Sequence, residues 1–188
     1  IRKYLKAGVM EKGLEKATIT GVPQGGPLSV VCSNVYLDKL DKELEQRGLR
    51  FTRYADDVLI FTKSEMAANR VMKSICSWIE RKLFLKVNAT KTKVVRPTRS
   101  KYLGFTFLKN GSEWKVRPTN EKKKKLKKKL SEYLKRGKAV ARPLAVTIKR
   151  VNEIVRGWIN YFRIGMMKQF LEEFGEWLRQ KIRVIVMK

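Results

Sequence analysis

The sequence predicts an α+β fold followed by an all-α unit of three helices. Apolar and aromatic runs flank a short polar break at residues 54–57, as expected for an antiparallel hairpin. Amphipathic helical patterns lie on both sides of this hairpin, and three more follow residue 118, where lysine becomes abundant. We therefore expect residues 1–117 to pack helices on an antiparallel sheet and residues 118–188 to form a helical bundle.

The composition predicts a polyanionic partner. The 188 residues carry 44 Lys and Arg side chains against 17 Asp and Glu, a net charge of +27. Because each phosphate that Lys or Arg neutralises releases condensed counterions, nucleic acid is favoured over an acidic membrane surface. No apolar run approaches the ~20 residues that span a bilayer, and no signal-peptide pattern is present. We therefore expect a cytoplasmic protein without membrane contacts.

The first predicted site is a glycine-rich loop. Residues 1–20 are too weakly patterned to assign, but residues 21–29 contain three glycines and two prolines. Small residues let a ligand approach the backbone closely, and Pro27 can open a helix whose N-terminus favours phosphate. Composition alone does not separate this interpretation from an ordinary loop before a helix.

Two amphipathic helices are predicted around the hairpin. The first spans residues 27–46 and ends at Gly48, with apolar positions at helical spacing: Leu28, Val31, Cys32, Val35, Leu40 and Leu44. The second begins after Ser64, a plausible N-cap, and buries a stripe of four residues: Met72, Ile75, Ile79 and Leu83. Cys32 and Cys76 fall within these patterns, and we expect both to be reduced core thiols.

The most informative motif is the hairpin tip, Tyr54-Ala55-Asp56-Asp57. Adjacent side chains on a strand point to opposite faces, so both acids can reach one ion only if a turn bends the chain there. Paired carboxylates suit Mg²⁺, which takes one or two protein carboxylates and completes its shell with water and phosphate oxygens. The sequence has no histidine, so a His-based general base is excluded. A solvated pair of turn acids is the alternative.

The C-terminal part predicts a basic surface. After strands at 93–96 and 102–107 and a hairpin turn at 109–111, seven lysines between positions 122 and 129 surround one apolar stripe. That stripe is Leu126, Leu130, Tyr133 and Leu134. The lysines either contact a nucleic-acid backbone or form a solvated face. The candidate contacts are Lys122, Lys124, Lys125 and Lys128, with Arg156 and Arg163 on the next helix.

The last two helices are predicted at residues 144–164 and 170–186. Trp158, Tyr161 and Phe162 lie within about one turn of the first of them. They could stack on RNA bases, but we interpret Trp158 and Phe162 as core because a helical bundle needs large apolar side chains.

Taken in order, these motifs resemble the reverse transcriptases encoded by group II introns. That family's palm carries a Pro-Gln-Gly-Gly-Pro-Leu-Ser loop, here residues 23–29, before a Tyr-Ala-Asp-Asp hairpin, here residues 54–57. Residues 88–93 look like its motif D and residues 102–105 like its primer-contacting hairpin. Residues 154–162 are similar to its maturase-specific, or thumb, region.

The resemblance implies a partial polymerase palm over residues 1–117 and a three-helix thumb or maturase-specific domain over residues 118–188. It implies RNA-directed DNA synthesis with two Mg²⁺ ions in a complete site, for which Mn²⁺ can substitute. The implied partners are an RNA template, a DNA primer and group II intron RNA, which such a protein binds as a splicing maturase. A non-catalytic RNA-binding maturase is the alternative.

The resemblance also implies roles for single residues. Asp56 and Asp57 would be the catalytic metal ligands. The nucleotide site would be formed by Pro23, Gln24, Gly25, Gly26 and Lys91, although an exposed basic edge equally explains the lysine. Primer or template contacts would come from Arg53, Tyr54, Leu103 and Gly104.

One departure from the family pattern concerns the metal site. The family's palm has a third carboxylate well upstream of the glycine-rich loop, together with the fingers that hold the nucleotide. Here only Glu11 and Glu15 precede that loop. We therefore expect an N-terminal fingers and palm segment, in the same or another chain, to supply the missing acid, and little catalysis from these residues alone.

Overall fold

The computed structural model describes residues 9–11, 14–16 and 27–187, with side chains from residue 28 onward. The chain divides into two compact units, Ile1–Val94 and Val95–Lys188. Within the described residues, the strands form three separate two-stranded antiparallel pairs rather than one sheet. Helices and antiparallel strands in the first unit and a mainly helical second unit confirm the predicted α+β class.

From residue 27 onward, the elements of the first unit follow the predicted order, whereas the two short strands before it lie in a stretch that the sequence left unassigned. They are β1 (Val9–Glu11), β2 (Leu14–Lys16), α1 (Pro27–Gln46), β3 (Arg50–Tyr54), β4 (Asp57–Phe61) and α2 (Glu65–Trp78), which continues as a π-helical turn at Ile79–Leu83. Helix α1 ends where Gly48 adopts a φ of +64°, a left-handed conformation that glycine takes without steric cost. Ser64 caps α2, as predicted, since its hydroxyl oxygen accepts a hydrogen bond from the Ala67 amide at 3.2 Å.

The core of the first unit lies between the two helices and the hairpin. It is formed by Leu40, Leu44, Ile75 and Leu83. Phe51, Val58 and Ile60 of the hairpin pack against this cluster, which places β3 and β4 on the C-terminal half of α1. Toward the N-terminal end of the helix, Val31 and Val35 are 57% and 71% exposed. The apolar stripe of α1 is therefore buried at one end only.

The second unit combines one hairpin with the three predicted long helices. Its elements are a 3₁₀ turn (Pro97–Arg99), β5 (Phe105–Asn110), β6 (Glu113–Pro118), α3 (Asn120–Tyr133), α4 (Arg136–Ala139), α5 (Leu144–Phe162) and α6 (Lys168–Val186). Thr119 caps α3 by accepting a hydrogen bond from the Lys122 amide at 3.4 Å. The predicted apolar stripe of α3 is confirmed, because Leu126, Leu130 and Leu134 are all buried.

Two strand predictions are wrong. Residues 93–96 form no strand but run between a turn that begins at Asn88 and the 3₁₀ turn at Pro97, and no strand of the described ranges pairs with them. The strand predicted at 102–107 begins only at Phe105, because Leu103 and Gly104 adopt φ values of +50° and +82° and reverse the chain. The next turn also lies further on, at Gly111 and residue 112.

The β5–β6 hairpin packs with the C-terminal helices. The Phe105 ring lies 4.9 Å from that of Phe162 on α5. The Met166 amide, in the loop between α5 and α6, donates to the Val116 carbonyl at 2.8 Å. The β5–β6 hairpin thus belongs to the same compact unit as the C-terminal helices. The assignment of residues 1–117 to a palm and of residues 118–188 to a thumb stays a prediction.

The core of the second unit confirms the interpretation of two aromatic residues. Its buried members are Leu126, Leu130, Leu134, Ala139, Val151, Phe170, Phe174 and Ile185. Trp158 packs against this cluster and Phe162 is buried, whereas Tyr161 is 56% exposed. Among the helices described, none is long and apolar enough to cross a membrane.

Truncation of Leu130 is expected to destabilise the second unit strongly. This side chain is fully buried in the three-helix core, so Leu130→Ala should lower the free energy of unfolding by about 2 to 5 kcal/mol. Urea unfolding followed by tryptophan fluorescence measures the change. Val146→Ala is the control, since Val146 is 53% exposed on α5 and its loss should stay within about 0.5 kcal/mol. Equal losses in the two variants would contradict the packing described here.

Candidate active site and nucleic-acid interface

The two adjacent acids lie at the end of the β3–β4 hairpin, in what we call the acidic turn, residues 54–57. Tyr54 pairs with Asp57 in the ladder, so Ala55 and Asp56 form a two-residue turn. Both carboxylates are exposed. Ala55 has a φ of +53°, a left-handed conformation that costs a non-glycine residue about 1 to 3 kcal/mol. The bend that the sequence predicted for the acids is therefore present.

Arg53 connects the acidic turn to helix α1. Its Nε and Nη2 donate to the two carboxylate oxygens of Asp41, the first at 2.7 Å. Its Nη1 donates to the Asn34 side-chain oxygen and to the Ala55 carbonyl, each at 2.9 Å. A planar guanidinium with donors at fixed angles can satisfy all of these acceptors together.

The donor set of the acidic turn fits a hard divalent cation. Asp56 and Asp57 provide adjacent, exposed oxygen ligands, and Mg²⁺ commonly takes one or two carboxylates and keeps several waters. In the part of the chain that the structure describes, no group of three or more His, Cys, Asp or Glu side chains could hold a metal. These residues therefore fit one side of a metal site, not a complete protein cage.

The predicted nucleotide-binding residues have mixed outcomes. Pro23, Gln24, Gly25 and Gly26 lie outside the described residues, so their roles stay predictions. Lys91 is exposed in a turn where the Asn88 side-chain oxygen accepts from its amide at 3.1 Å. The turn fixes the backbone and leaves the ammonium at the surface, which suits either a phosphate contact or a solvated edge.

The predicted primer-contacting segment is a tight turn held by α5. Tyr102 and Phe105 exchange backbone hydrogen bonds of 3.0 and 2.8 Å, and the Tyr161 hydroxyl donates to the Leu103 carbonyl at 3.0 Å. Gly104 has a φ of +82°, which favours glycine, and a Cβ atom there would lie 2.9 Å from the flexible Lys122 side chain, which would have to shift. Lys122 of α3 thus lies directly over the turn.

A first basic groove runs between α3 and α5, with an open volume of about 510 Å³. Its cations come from both helices: Lys122, Lys125, Lys129 and Arg150. Apolar and aromatic atoms of Ile154, Trp158 and Tyr161 also line it, together with Glu153, whose carboxylate accepts from Arg150 Nη1 at 2.8 Å. Positive charge around an aromatic floor is typical of surfaces that bind single-stranded or looped nucleic acid.

A second basic groove lies on the other side of α3, near the start of α6, with a volume of about 740 Å³. Arg117, Lys123, Lys124, Lys127 and Lys168 line it together with Glu172 and Glu173. Lys123 lies over the Phe170 ring at 5.0 Å. Its burial, and then the positive charge of Arg117, lower the pKa of Lys123, although Glu173 opposes the shift.

The predicted RNA contacts are all exposed, but they do not share one surface. Lys122 and Lys125 line the first groove and Lys124 lines the second. Lys128, Arg156 and Arg163 are exposed and line neither groove. The predicted contacts did not include Lys129 and Arg150 of the first groove or Arg117, Lys123, Lys127 and Lys168 of the second. A helical wheel drawn through α3 would have found Lys129, whereas Arg117 and Arg150 belong to other elements.

The prediction that both cysteines are core thiols is wrong for Cys32, which is exposed. It lies on the N-terminal half of α1, whose apolar stripe is not covered within the described residues. Cys76 on α2 is half-buried, and this burial raises the pKa of its thiol. A helical pattern shows which residues share a face but not how much of that face is covered.

Comparisons with known proteins agree with these features. Residues 1–107 match the family model for reverse transcriptase (RNA-dependent DNA polymerase). Residues 123–188 match the model for the group II intron, maturase-specific domain. The first match covers more than half of the chain and contains the acidic turn, and the second contains α5, α6 and most of the lysine-rich helix.

Two curated proteins are similar over part of their length. The chain is 29% identical to Protein YkfC of Escherichia coli (strain K12) over 140 residues, which are 56% of this chain and 36% of that protein. It is 45% identical to Group II intron-encoded protein LtrA of Lactococcus lactis subsp. cremoris over 53 residues, which are 28% of this chain and 9% of that protein. The aligned stretches thus span well under half of either relative.

The hairpin with its paired acids and the match over residues 1–107 define a member of the reverse transcriptase class. With the maturase-specific match at residues 123–188, the chain belongs to the group II intron reverse transcriptase/maturase family.

Proposed function

We propose that this chain carries the metal-binding acids and the thumb of an RNA-directed DNA polymerase, and that its basic surfaces also bind intron RNA as a splicing maturase. One observation carries the polymerase proposal. Asp56 and Asp57 remain side by side, exposed, at the end of a hairpin packed on its own hydrophobic core. A non-catalytic maturase would have no use for two adjacent, exposed acids in a strained turn of a strongly basic chain.

In this proposal the chain's own residues bind and orient the substrates. Asp56 and Asp57 provide the carboxylate ligands on one side of the cation site. Tyr54, 64% exposed beside them, supports the primer terminus, and the Leu103–Gly104 turn positions the primer strand. Gln24 and the neighbouring glycines shape the nucleotide site, with Lys91 near the phosphates of the incoming nucleotide.

When bound, Mg²⁺ would favour the deprotonated primer 3′ hydroxyl and stabilise the charge on the leaving pyrophosphate. Neither acid needs to act as a general base, because carboxylates serve here as ligands and as counter-charge. Placing both on a hairpin rather than on a loop limits their motion, which is what a geometrically demanding octahedral ion requires.

We further propose that a third carboxylate and the nucleotide-holding fingers come from an N-terminal segment, in the same or another chain. The support is chemical. Two adjacent acids form one side of a metal site, and the described residues bring no third ligand near them. Mn²⁺ should replace Mg²⁺ in the complete site, since both ions favour octahedral oxygen ligands.

The maturase role rests on a different part of the chain. The maturase-specific match covers residues 123–188, and α3 lies between two basic grooves of the second unit. Structured intron RNA offers both phosphate backbone and splayed bases, for which cations and an aromatic floor are suited. We propose that these grooves bind the folded intron and stabilise it for splicing.

The polymerase proposal predicts that Asp57→Asn abolishes DNA synthesis and spares splicing. Removing one metal ligand should lower primer extension in the complete protein by more than the roughly 10- to 100-fold that loss of an outer-shell partner costs. Splicing of the intron RNA should change little, because the acid lies outside both basic grooves. Primer extension on an RNA template and a splicing assay, run on the same preparation, measure the two activities.

Retained primer extension in Asp57→Asn would reject the catalytic assignment. Loss of both activities in a folded variant would reject the separation of the polymerase site from the RNA surface. Glu45→Gln is the control: it removes a negative charge from an exposed position near the C-terminal end of α1 and should leave both activities at the wild-type level.

The RNA-binding proposal predicts a smaller salt dependence after removal of first-groove lysines. Each lost phosphate contact lowers the slope of log affinity against log salt by about 0.7 to 0.9. The double variant Lys122→Gln with Lys125→Gln should therefore reduce the slope by up to about 2 in filter binding of intron RNA across a salt series. Lys181→Gln is the control, since Lys181 is exposed on α6 and lines neither groove. An equal change in slope per lysine removed would mean that only net charge matters.

A further inference from the structure

The acidic turn has an unusual composition for its backbone conformation. Two-residue hairpin turns usually place Gly, Asn or Asp where φ is positive, because these residues reach that region at low cost. Here the position is held by Ala55, with a φ of +53°. Alanine has no polar side-chain atom with which to stabilise its own backbone. The support must come from another residue.

Arg53 provides that support through the Ala55 carbonyl. Its Nη1 donates to this oxygen at 2.9 Å. The carbonyl belongs to the peptide plane that joins Ala55 to Asp56, so a hydrogen bond to it fixes the orientation of the plane from which the first acid projects. Asp57 follows at once and begins β4, paired with Tyr54. One guanidinium nitrogen thus limits the direction of both acids.

The orientation of Arg53 is itself set by α1. Asp41 accepts from Nε and Nη2 in the two-point geometry that fixes the guanidinium plane, and Asn34 accepts from Nη1 at 2.9 Å. Asn34 and Asp41 are seven residues apart, about two helical turns, so they lie on one face of α1. The Arg53 side chain is only 11% exposed, which limits competition from water.

We propose that Arg53 is a positioning residue for the acidic turn, and that Asp41 and Asn34 on α1 orient it so that Asp56 and Asp57 present their carboxylates to one cation. This role replaces the primer or template contact that family resemblance implied for Arg53. The consequence for catalysis rests on the proposed polymerase function. The consequence for the geometry and rigidity of the turn does not.

Arg53→Lys tests the proposal. Lysine keeps the positive charge but has a single nitrogen, which cannot hold Asp41 at two points and reach Asn34 and the Ala55 carbonyl as well. The matched control is Arg47→Lys. Arg47 directly follows the last residue of α1, donates to Glu43 at 2.7 Å and to Ser74 on α2 at 2.7 Å, and is not among the residues that hydrogen-bond to the acidic turn. Each variant replaces an arginine of the first unit that donates to one carboxylate and to a second polar side chain.

The first measurement is made without metal. In ¹⁵N relaxation, the Asp56 and Asp57 amides should have order parameters near about 0.85 in the wild type and below about 0.6 in Arg53→Lys. Arg47→Lys should match the wild type. If the amides stay rigid in Arg53→Lys, or loosen equally in Arg47→Lys, the positioning role is rejected whatever the function of the chain.

The second measurement is Mn²⁺ binding by the full chain, followed by electron paramagnetic resonance. Loss of a residue that orients metal ligands should raise the dissociation constant by about 10- to 100-fold in Arg53→Lys. It should leave Arg47→Lys unchanged and should not alter the KM for primer and template in extension assays. An unchanged Mn²⁺ affinity, or a rise confined to the KM for nucleic acid, contradicts positioning and favours a direct contact.

Asp41→Asn gives an independent test if Arg53→Lys is poorly folded. It should also raise the dissociation constant for Mn²⁺. The double variant, Arg53→Lys with Asp41→Asn, should bind Mn²⁺ no more weakly than the weaker-binding single variant, since both changes break the same interaction. Additive losses would reject the proposed path through Asp41. Asp57→Asn separates the two proposals. If Asp57→Asn binds Mn²⁺ as the wild type does, the proposed metal site is rejected. If Asp57→Asn loses Mn²⁺ binding while Arg53→Lys binds it normally, only the positioning role of Arg53 is rejected.

Discussion

The side chains of two neighbouring acids on a strand can bind a common cation only if the backbone bends so that both point to the same side. The alternation of side chains along a strand opposes this, and so does the mutual repulsion of the charges. In this chain a two-residue turn makes the bend, with Ala55 in a left-handed conformation. The turn is supported by Arg53, which is oriented by α1, whose C-terminal half packs into the first hydrophobic core. Arg53 therefore links the packing of α1, the hydrogen bonds of the acidic turn and the direction of the two candidate metal ligands.

The positive charge of the chain serves a different purpose from these acids. Most of the lysine-rich segment is a single helix, α3, whose apolar stripe enters the core of the second unit while its cations line grooves on two sides. The long aliphatic stems allow this, because a lysine can cover apolar surface and keep its ammonium in water. Like charges so close together repel one another, and a polyanion relieves that repulsion. The nucleic-acid binding that we propose uses the same placement of side chains that lets the helix fold.

Much of the local structure could be predicted from sequence because its causes are local. Gly48 ends α1, Ser64 caps α2, and the helical spacing of the apolar residues among the lysines of α3 fixes its buried face. The acidic turn was also predicted, since strand-forming residues flank a short polar break. Strand pairing is not local, and among the described residues no strand pairs with the segment predicted as a strand at 93–96.

The supports of the site could not be predicted for a similar reason. Arg53 and Asp41 are twelve positions apart on different elements, and no sequence pattern marks them as partners. The hydrogen bond from Tyr161 to Leu103 spans 58 positions and depends on how α5 packs against the β5–β6 hairpin. The exposure of Cys32 likewise depends on how far a covering element extends along α1. Residue type predicted the chemistry of the acids, whereas tertiary packing determines their direction.

The most direct test of this account is a crystal structure of the complete protein with Mn²⁺, recorded at a wavelength where manganese scatters anomalously. The account predicts an anomalous peak at about 2.0 to 2.2 Å from carboxylate oxygens of both Asp56 and Asp57. In the same map, Arg53 should still donate to the Ala55 carbonyl. A peak bound by other residues, with the two carboxylates directed away from any cleft that admits a primer end, would contradict it.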